Sequence, residues 1–195
     1  MKISGIIIAR NGSSRVPKKS LIKLSGKPLV WHMIQIAKNV KLLNHICVAT
    51  TDLDIDDSIA KVASDEKIDL YRGDSENVLD RIYNTSKKMK SDVVVYIGGD
   101  CPLLDPYILN NALNLFLKKK IDYLNNYKNP SLPGGQDINI ISFNALEKAY
   151  KKALAPSQRI HAFSYLTFHS SEFNIYNYVS KIKFKNLKQF HWYID

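Results

Sequence analysis

The chain has 195 residues, 45% hydrophobic and 24% charged, the balance of an ordinary globular protein with one domain and a sizeable core. Its 28 Lys+Arg against 18 Asp+Glu give a formal net charge of +10, which suits either a solvated basic surface or attraction for polyanions such as nucleotides and acidic sugars. The basic residues are scattered, with no aromatic-interleaved stripe and no nucleic-acid fold motif, and this argues against a nucleic-acid partner.

Residues 2–9 are an Ile-rich run that stops at a polar, Gly-containing loop. The run is too short for a membrane span and lacks a signal-peptide cleavage pattern, so it reads as a buried parallel strand and no membrane partner is expected. Residues 28–38 follow with Leu29, Met33, Ile36 and Ala37 at helical spacing, and Pro28 suits a first turn. Residues 45–50 read as a second buried strand, 55–65 and 78–89 as amphipathic helices, and 92–97 as the third central strand. A helix over 106–117 presents Ile108, Leu109, Ala112, Leu113 and Phe116, with Asp105 placed to cap it. Strands and helices alternating in this way predict an α/β fold with a mostly parallel sheet.

After about Tyr123 the pattern changes. Residues 125–137 are rich in Asn, Pro and Gly and read as loop. A strand over 138–143, helices over 144–154 and 157–169, and strands over 173–179 and 189–194 are expected beyond it. This half reads as a small α+β insertion on the sheet, about 125–188, followed by a final core strand, all within one domain. Cys47 and Cys101 form no CxxC pair and make neither a zinc site nor a disulfide framework. They fit a reducing, cytoplasmic setting.

Two segments carry chemistry by position. Arg10-Asn11-Gly12-Ser13-Ser14-Arg15-Val16-Pro17-Lys18-Lys19 follows the first strand directly, and ligands of open parallel sheets bind at carboxyl ends of strands. A glycine, two serines and four cations there offer backbone N–H groups and positive charge to phosphates. The loop is neither a Walker loop nor GxGxxG. Gly98-Gly99-Asp100 follows the third core strand. Its glycines permit close approach, and Asp100 projects a hard oxygen ligand suited to Mg²⁺. Tyr71-Arg72-Gly73-Asp74-Ser75-Glu76-Asn77-Val78-Leu79-Asp80-Arg81 reads, by spacing alone, as a helix start capped by Ser75 with an ordinary Asp80–Arg81 surface pair. His32, His45 and His169 read as structural or surface residues.

The segments IIIARNGSSRVPKKSL, VATTD, YRGDSENVLDRI, GGDCPLLDP, SFNALEKA, PSQRIHAFSYL and FHWYID, in this order and over nearly the whole chain, resemble the cytidylyltransferases of acylneuraminate and 3-deoxy-manno-octulosonate, and most of all the spore coat polysaccharide biosynthesis protein F group. The resemblance implies a nucleotide-diphospho-sugar transferase fold with a Rossmann-like sheet. It implies transfer of CMP from CTP to a sugar acid for surface polysaccharide synthesis, in a homodimer. Arg10 and Lys19 would hold the triphosphate beside the backbone of Ala9, Asn11, Gly12, Ser13 and Ser14, with Gly99 close by. Arg72, Asp80 and Arg81 would sit near the nucleotide. Asp100 and Asp195 would hold Mg²⁺, and Asp137, Arg159 and His161 would lie near the acceptor. Asn139, Ser20, Ala162 and Phe163 depart from the family pattern and bear on which acceptor is used. Relatives continue past the residue matching Asp195, so an impaired catalyst is expected of a chain stopping there. Another nucleotide on the same fold, a glycosyltransferase and a non-catalytic nucleotide-binding protein remain open alternatives.

Overall fold

A computed structural model describes residues 1–12, 15–182, 184 and 190–194. One sheet contains β1 (Ile3–Ile8), β2 (His45–Thr51), β3 (Asp69–Gly73), β4 (Val93–Gly98), β5 (Tyr123–Asn125), β6 (Asn139–Ser142) and β7 (Ile175–Asn177). Its spatial order is β3-β2-β1-β4-β6-β5-β7. The first four strands run parallel, with β1 flanked by β2 and β4. β6 is antiparallel to both β4 and β5, and β7 returns to run parallel with β5. The chain therefore winds outward from β1 in one direction and then in the other. A ligand crevice belongs at that reversal, outside the carboxyl ends of β1 and β4.

Alternation along β1 splits the core in two. Ile3 and Ile7 pack with Leu29, Met33 and Ile34 of α1 (Leu29–Lys38), Ile59 of α2 (Asp57–Asp65) and Leu109 and Leu113 of α4 (Pro106–Lys118). Ile6 faces the opposite side, with Leu79 and Ile82 of α3 (Val78–Met89) and Leu146 of α5 (Phe143–Lys152). Burying each large aliphatic side chain contributes about 1.5–3 kcal/mol. Residues covered on both faces explain why these strands read as continuous apolar runs.

Local chemistry sets the helix ends. Asp105 caps α4 by accepting the Tyr107 N–H, with Pro106 in the first turn. Asn77, rather than the expected Ser75, caps α3 by accepting the Asp80 N–H. The helix expected over 157–169 is two short ones, α6 (Pro156–Ile160) and α7 (Ser164–Phe168). The break lets Phe163 turn inward, where it stacks on Tyr123 at 5.2 Å and meets Tyr96 edge-on at 5.3 Å.

The strand expected over 189–194 is also different. Among its described residues, His191 makes one isolated bridge to Gly134, and Trp192 and Ile194 donate backbone bonds to the Gly134 and Asp100 carbonyls. That segment is bound to loops, not to a sheet edge. β3 and β5 were not anticipated, because β3 is a half-exposed edge carrying Asp69 and Arg72 and β5 has three residues. The second half of the chain extends the same sheet through β6 and β7.

Candidate active site

The carboxyl ends of β1 and β4 nearly touch. A Cβ on Gly99 would run into the Ile8 carbonyl oxygen and lie 3.2 Å from the Ala9 Cβ, so only glycine fits there. Above this contact lies a cavity of about 650 Å³ lined by Ala9, Arg10, Arg15, Lys19, Arg81, Gly99 and Asp100 together with residues of α6 and α7. Its size is that of an ordinary small-ligand site.

The loop after β1 is held from beneath. Asp56 is fully buried and accepts the Asn11 N–H at 2.7 Å, the Thr50 hydroxyl at 3.0 Å and the Thr51 N–H at 3.2 Å. Asn11 turns inward as well, donating its side-chain amide to the Ile55 carbonyl and the Ser58 hydroxyl. The Ser20 hydroxyl donates to the Arg10 carbonyl, and the Lys18 N–H to the Asn11 carbonyl. Asn11 thus serves the cavity through its backbone neighbours and not by its side chain. Gly12 is exposed. Ser13 and Ser14 lie outside the described residues, as does Asp195.

Lys19 Nζ lies 3.0 Å from Asp100 Oδ2. The Cys101 thiol donates to Asp100 Oδ1 at 3.4 Å, and burial together with the Asp100 charge pushes that thiol far above its ordinary range. Asp137 is open to solvent on one side, yet the protein packed around it and the nearby Asp100 raise its carboxyl above the usual range. Asp137 does not itself line the cavity, and Lys19 bridges the loop after β1 and the turn that bears Asp100. Among the described residues, no cluster of three or more His, Cys, Asp or Glu side chains could hold a metal.

The resemblance grouped Arg72, Asp80 and Arg81, but the structure separates them. Arg72 spends its guanidinium on the Thr51 and Leu53 carbonyls and on Asp57, and it does not line the cavity. Asp80 accepts the Tyr150 hydroxyl at 2.9 Å, and Arg159 packs over the Tyr150 ring at 4.7 Å. Neither Asp80 nor Arg159 lines the cavity. Arg81 does line it, although its side chain is fully buried. Arg10 shares the Ser75 carbonyl with Arg81 and reaches Glu76 at 3.4 Å. Burial first, and then Arg10, lower the Arg81 pKa. Of the designated acceptor residues, His161 lines the cavity.

Aromatic residues close the far wall. Tyr123 donates to Asn139 Oδ1, whose amide donates to the Tyr127 hydroxyl at 2.6 Å. Burial pushes the Tyr127 phenol up to about 12 and the Tyr96 phenol higher, so both stay neutral donors. Among the described residues the buried side-chain polar atoms without a partner are Asn11 Oδ1, Arg81 Nε and Nη2, and Ser164 Oγ. Arg81 and Ser164 both line this cavity. Unpaired buried polar groups cost free energy and concentrate where a ligand completes them.

Sequence reading passed over Asp56, Tyr96, Tyr123, Tyr127 and Ser164. Asp56 sits in a run with Asp52, Asp54 and Asp57, where spacing does not reveal which carboxylate turns inward. The tyrosines occupy strand positions and a loop that read as packing.

A family model described as Cytidylyltransferase matches residues 4–194. An uncharacterized protein of Methanocaldococcus jannaschii is 36% identical over 176 residues, covering 90% of this chain and 71% of that one. A 3-deoxy-manno-octulosonate cytidylyltransferase of Trichlorobacter lovleyi is 37% identical over 117 residues, which is 60% of this chain and 46% of that protein. The chain thus spans about half the length of that relative. The solved structure of a cytidylyltransferase from Leptospira borgpetersenii superposes with a TM-score of 0.93 at 28% identity, covering 100% of this chain and 82% of that one.

Proposed function

Because this chain belongs to the cytidylyltransferase family, we propose that it transfers CMP from CTP to a hydroxyl of a nonulosonic or related sugar acid, releasing pyrophosphate, as a step in surface polysaccharide synthesis in the cytoplasm. The observation that carries this reading is the 3.0 Å pairing of Lys19 with Asp100 across the carboxyl ends of β1 and β4. It sets a phosphate-binding cation and a hard carboxylate at one edge of a nucleotide-sized cavity.

In this proposal the triphosphate lies along the loop after β1. Arg10, Arg15 and Lys19 offset its charge, and Arg10 and Lys19 stabilise the charge that grows on departing pyrophosphate. Transfers of this kind depend chiefly on alignment and charge neutralisation. Asp100 fits a Mg²⁺ ion, which takes one or two carboxylates and completes its shell with phosphate oxygens and water. Asp195 is the second proposed ligand. When bound, the ion would lower the pKa of the acceptor hydroxyl and polarise the phosphorus. Asp137 and His161 orient the acceptor, with the neutral Tyr127 phenol as a donor to it. Leu154, Ile160 and Phe168 are exposed, and in this proposal they meet a second copy of the chain.

The test is pyrophosphate release from CTP with Mg²⁺ against a panel of nonulosonic and octulosonic acids. One acid should support release, and CTP should outperform ATP, GTP and UTP. Equal use of all four nucleotides would remove the cytidine assignment, and no release with any acid would remove the transfer itself.

A further inference from the structure

Arg81 is placed as few arginines are. It lies in the first turn of α3, with its N–H donating to the Asn77 carbonyl at 3.2 Å. Its Nη1 donates to the Asp74 carbonyl at 2.6 Å and to the Ser75 carbonyl at 3.0 Å. These bonds fix the plane of the guanidinium. Nε and Nη2 are left buried and without a partner, on a side chain that lines the cavity. The N–H groups of Nε and Nη2 run parallel, and this edge is a rigid two-pronged donor that matches two adjacent acceptors. A donor pair held still and dry is preorganised for a ligand, because leaving it unmet is costly.

Carboxylates, phosphates and the O2/N3 edge of cytosine each offer two adjacent acceptors. The surroundings choose among them. The Asp74 and Ser75 carbonyl oxygens already accept from this guanidinium and weaken its pull on an anion. Val78, Ile8 and Tyr96 line the same cavity and suit a flat, neutral ring. Arg15 and Lys19 also line that cavity, on the solvent-facing loop where a hydrated polyphosphate is more easily held.

We infer that Arg81 is the residue that selects the base, its Nε–Nη2 edge donating to O2 and N3 of cytosine, while Arg72 has no part in this. The inference rests on the proposed CTP-dependent function. Uracil carries a hydrogen on N3, so UTP sets a donor against a donor. Arg72 already donates from each of Nε, Nη1 and Nη2 to a protein acceptor, and it does not line the cavity. The Hoogsteen edge of guanine presents an equivalent acceptor pair, and GTP is therefore an arm of the test.

Dissociation constants are to be measured by calorimetry for CTP, UTP, GTP and 3-deazacytidine triphosphate, which lacks the N3 acceptor, on the wild-type chain and on Arg81→Lys. The wild-type chain should bind UTP and the deaza analogue about 5- to 150-fold more weakly than CTP, the worth of a bidentate pair. In Arg81→Lys the three pyrimidine nucleotides should converge to within about threefold, with pyrophosphate affinity unchanged. Equal wild-type binding of CTP and its deaza analogue overturns the inference and leaves the proposed function standing. An Arg81→Lys loss shared by pyrophosphate, which would put the prongs on phosphate, does the same, whereas a preference for GTP removes the inference and the cytidine assignment together. If Arg81→Lys fails to fold, the comparison on the wild-type chain decides alone. Failure to bind any nucleotide removes the proposed function and this inference together.

Discussion

Lys19 and Asp100 are 81 residues apart in sequence and 3.0 Å apart in space, and their contact closes the gap between the loop after β1 and the turn after β4. Asp100 is 37% exposed and Lys19 13%, so the pair contributes only about 0–1 kcal/mol to folding. A weak bond between two groups of high chemical value is easily exchanged for stronger ones. In the proposed reaction a triphosphate would draw Lys19 away from Asp100.

Asp100→Asn keeps the shape of the side chain and removes its charge. The thermal midpoint should move by no more than about 2–4 °C, the shift that about 1 kcal/mol gives in a chain of this size. Turnover in the pyrophosphate assay should fall by at least about 100-fold, because a metal-dependent contribution is worth several kcal/mol. A variant within about threefold of wild type would take Asp100 out of the chemistry.

Lys18 and Lys19 are neighbours in sequence with different surroundings. Lys18 is exposed in a left-handed conformation, whereas Lys19 points into the cavity at Asp100. Lys19→Ala should raise the CTP concentration needed for half-maximal rate by about 10-fold or more, the value of a charge-assisted contact to phosphate. Lys18→Ala should change it by less than about threefold. Initial rates across a CTP series distinguish the two, and reversed effects would show that the phosphates meet the other lysine.

The central strands were legible because both their faces are covered, which leaves Ile, Val and Ala in unbroken runs that punctuation by glycine and proline brackets. α3 and α4 were legible to within a residue from their apolar spacing, and for α4 the Asp105 cap agrees as well. What escaped the sequence was settled by tertiary contacts. Phe163 breaks an otherwise plausible helix to join Tyr96 and Tyr123. Arg72 and Arg81 stand nine positions apart in one motif, and only the fold turns one toward Asp57 and the other toward the cavity. Asp56 carries no local mark that sets it apart from Asp54 or Asp57.

Asp56→Ala should damage both stability and binding. The substitution strands the Asn11 and Thr51 N–H groups and the Thr50 and Thr51 hydroxyls, which the carboxylate now accepts. Buried donors left unmet cost about 1–3 kcal/mol each before relaxation, so a net loss of about 2–4 kcal/mol is expected in urea denaturation. CTP affinity should fall as well, since the Asn11 anchor that shapes the loop is lost. Unchanged stability would show that water replaces the carboxylate without strain, and that the loop does not depend on it.

Gly135 governs how the segment 190–194 meets the site. Its φ is +92°, a conformation that side chains rarely adopt. An added Cβ would stand 2.5 Å from the Trp192 carbonyl oxygen and 3.1 Å from the Tyr193 nitrogen. The Trp192 N–H donates to Gly134 at 2.7 Å, and the Ile194 N–H donates to the Asp100 carbonyl at 2.9 Å. The segment therefore braces the turn that bears Asp100. Gly135→Ala should displace it at a local cost of about 1–3 kcal/mol, while the sheet, built from residues elsewhere, stays folded. In a Trp31→Phe background, Trp192 is the reporter, and its emission should shift to the red as the ring leaves its place beside Phe184. Turnover should fall and the Mg²⁺ concentration required should rise, because Asp100 has lost its backbone brace. Unchanged emission would show that the segment tolerates the methyl group. A red shift with unaltered turnover and Mg²⁺ requirement would show that it braces nothing the reaction needs.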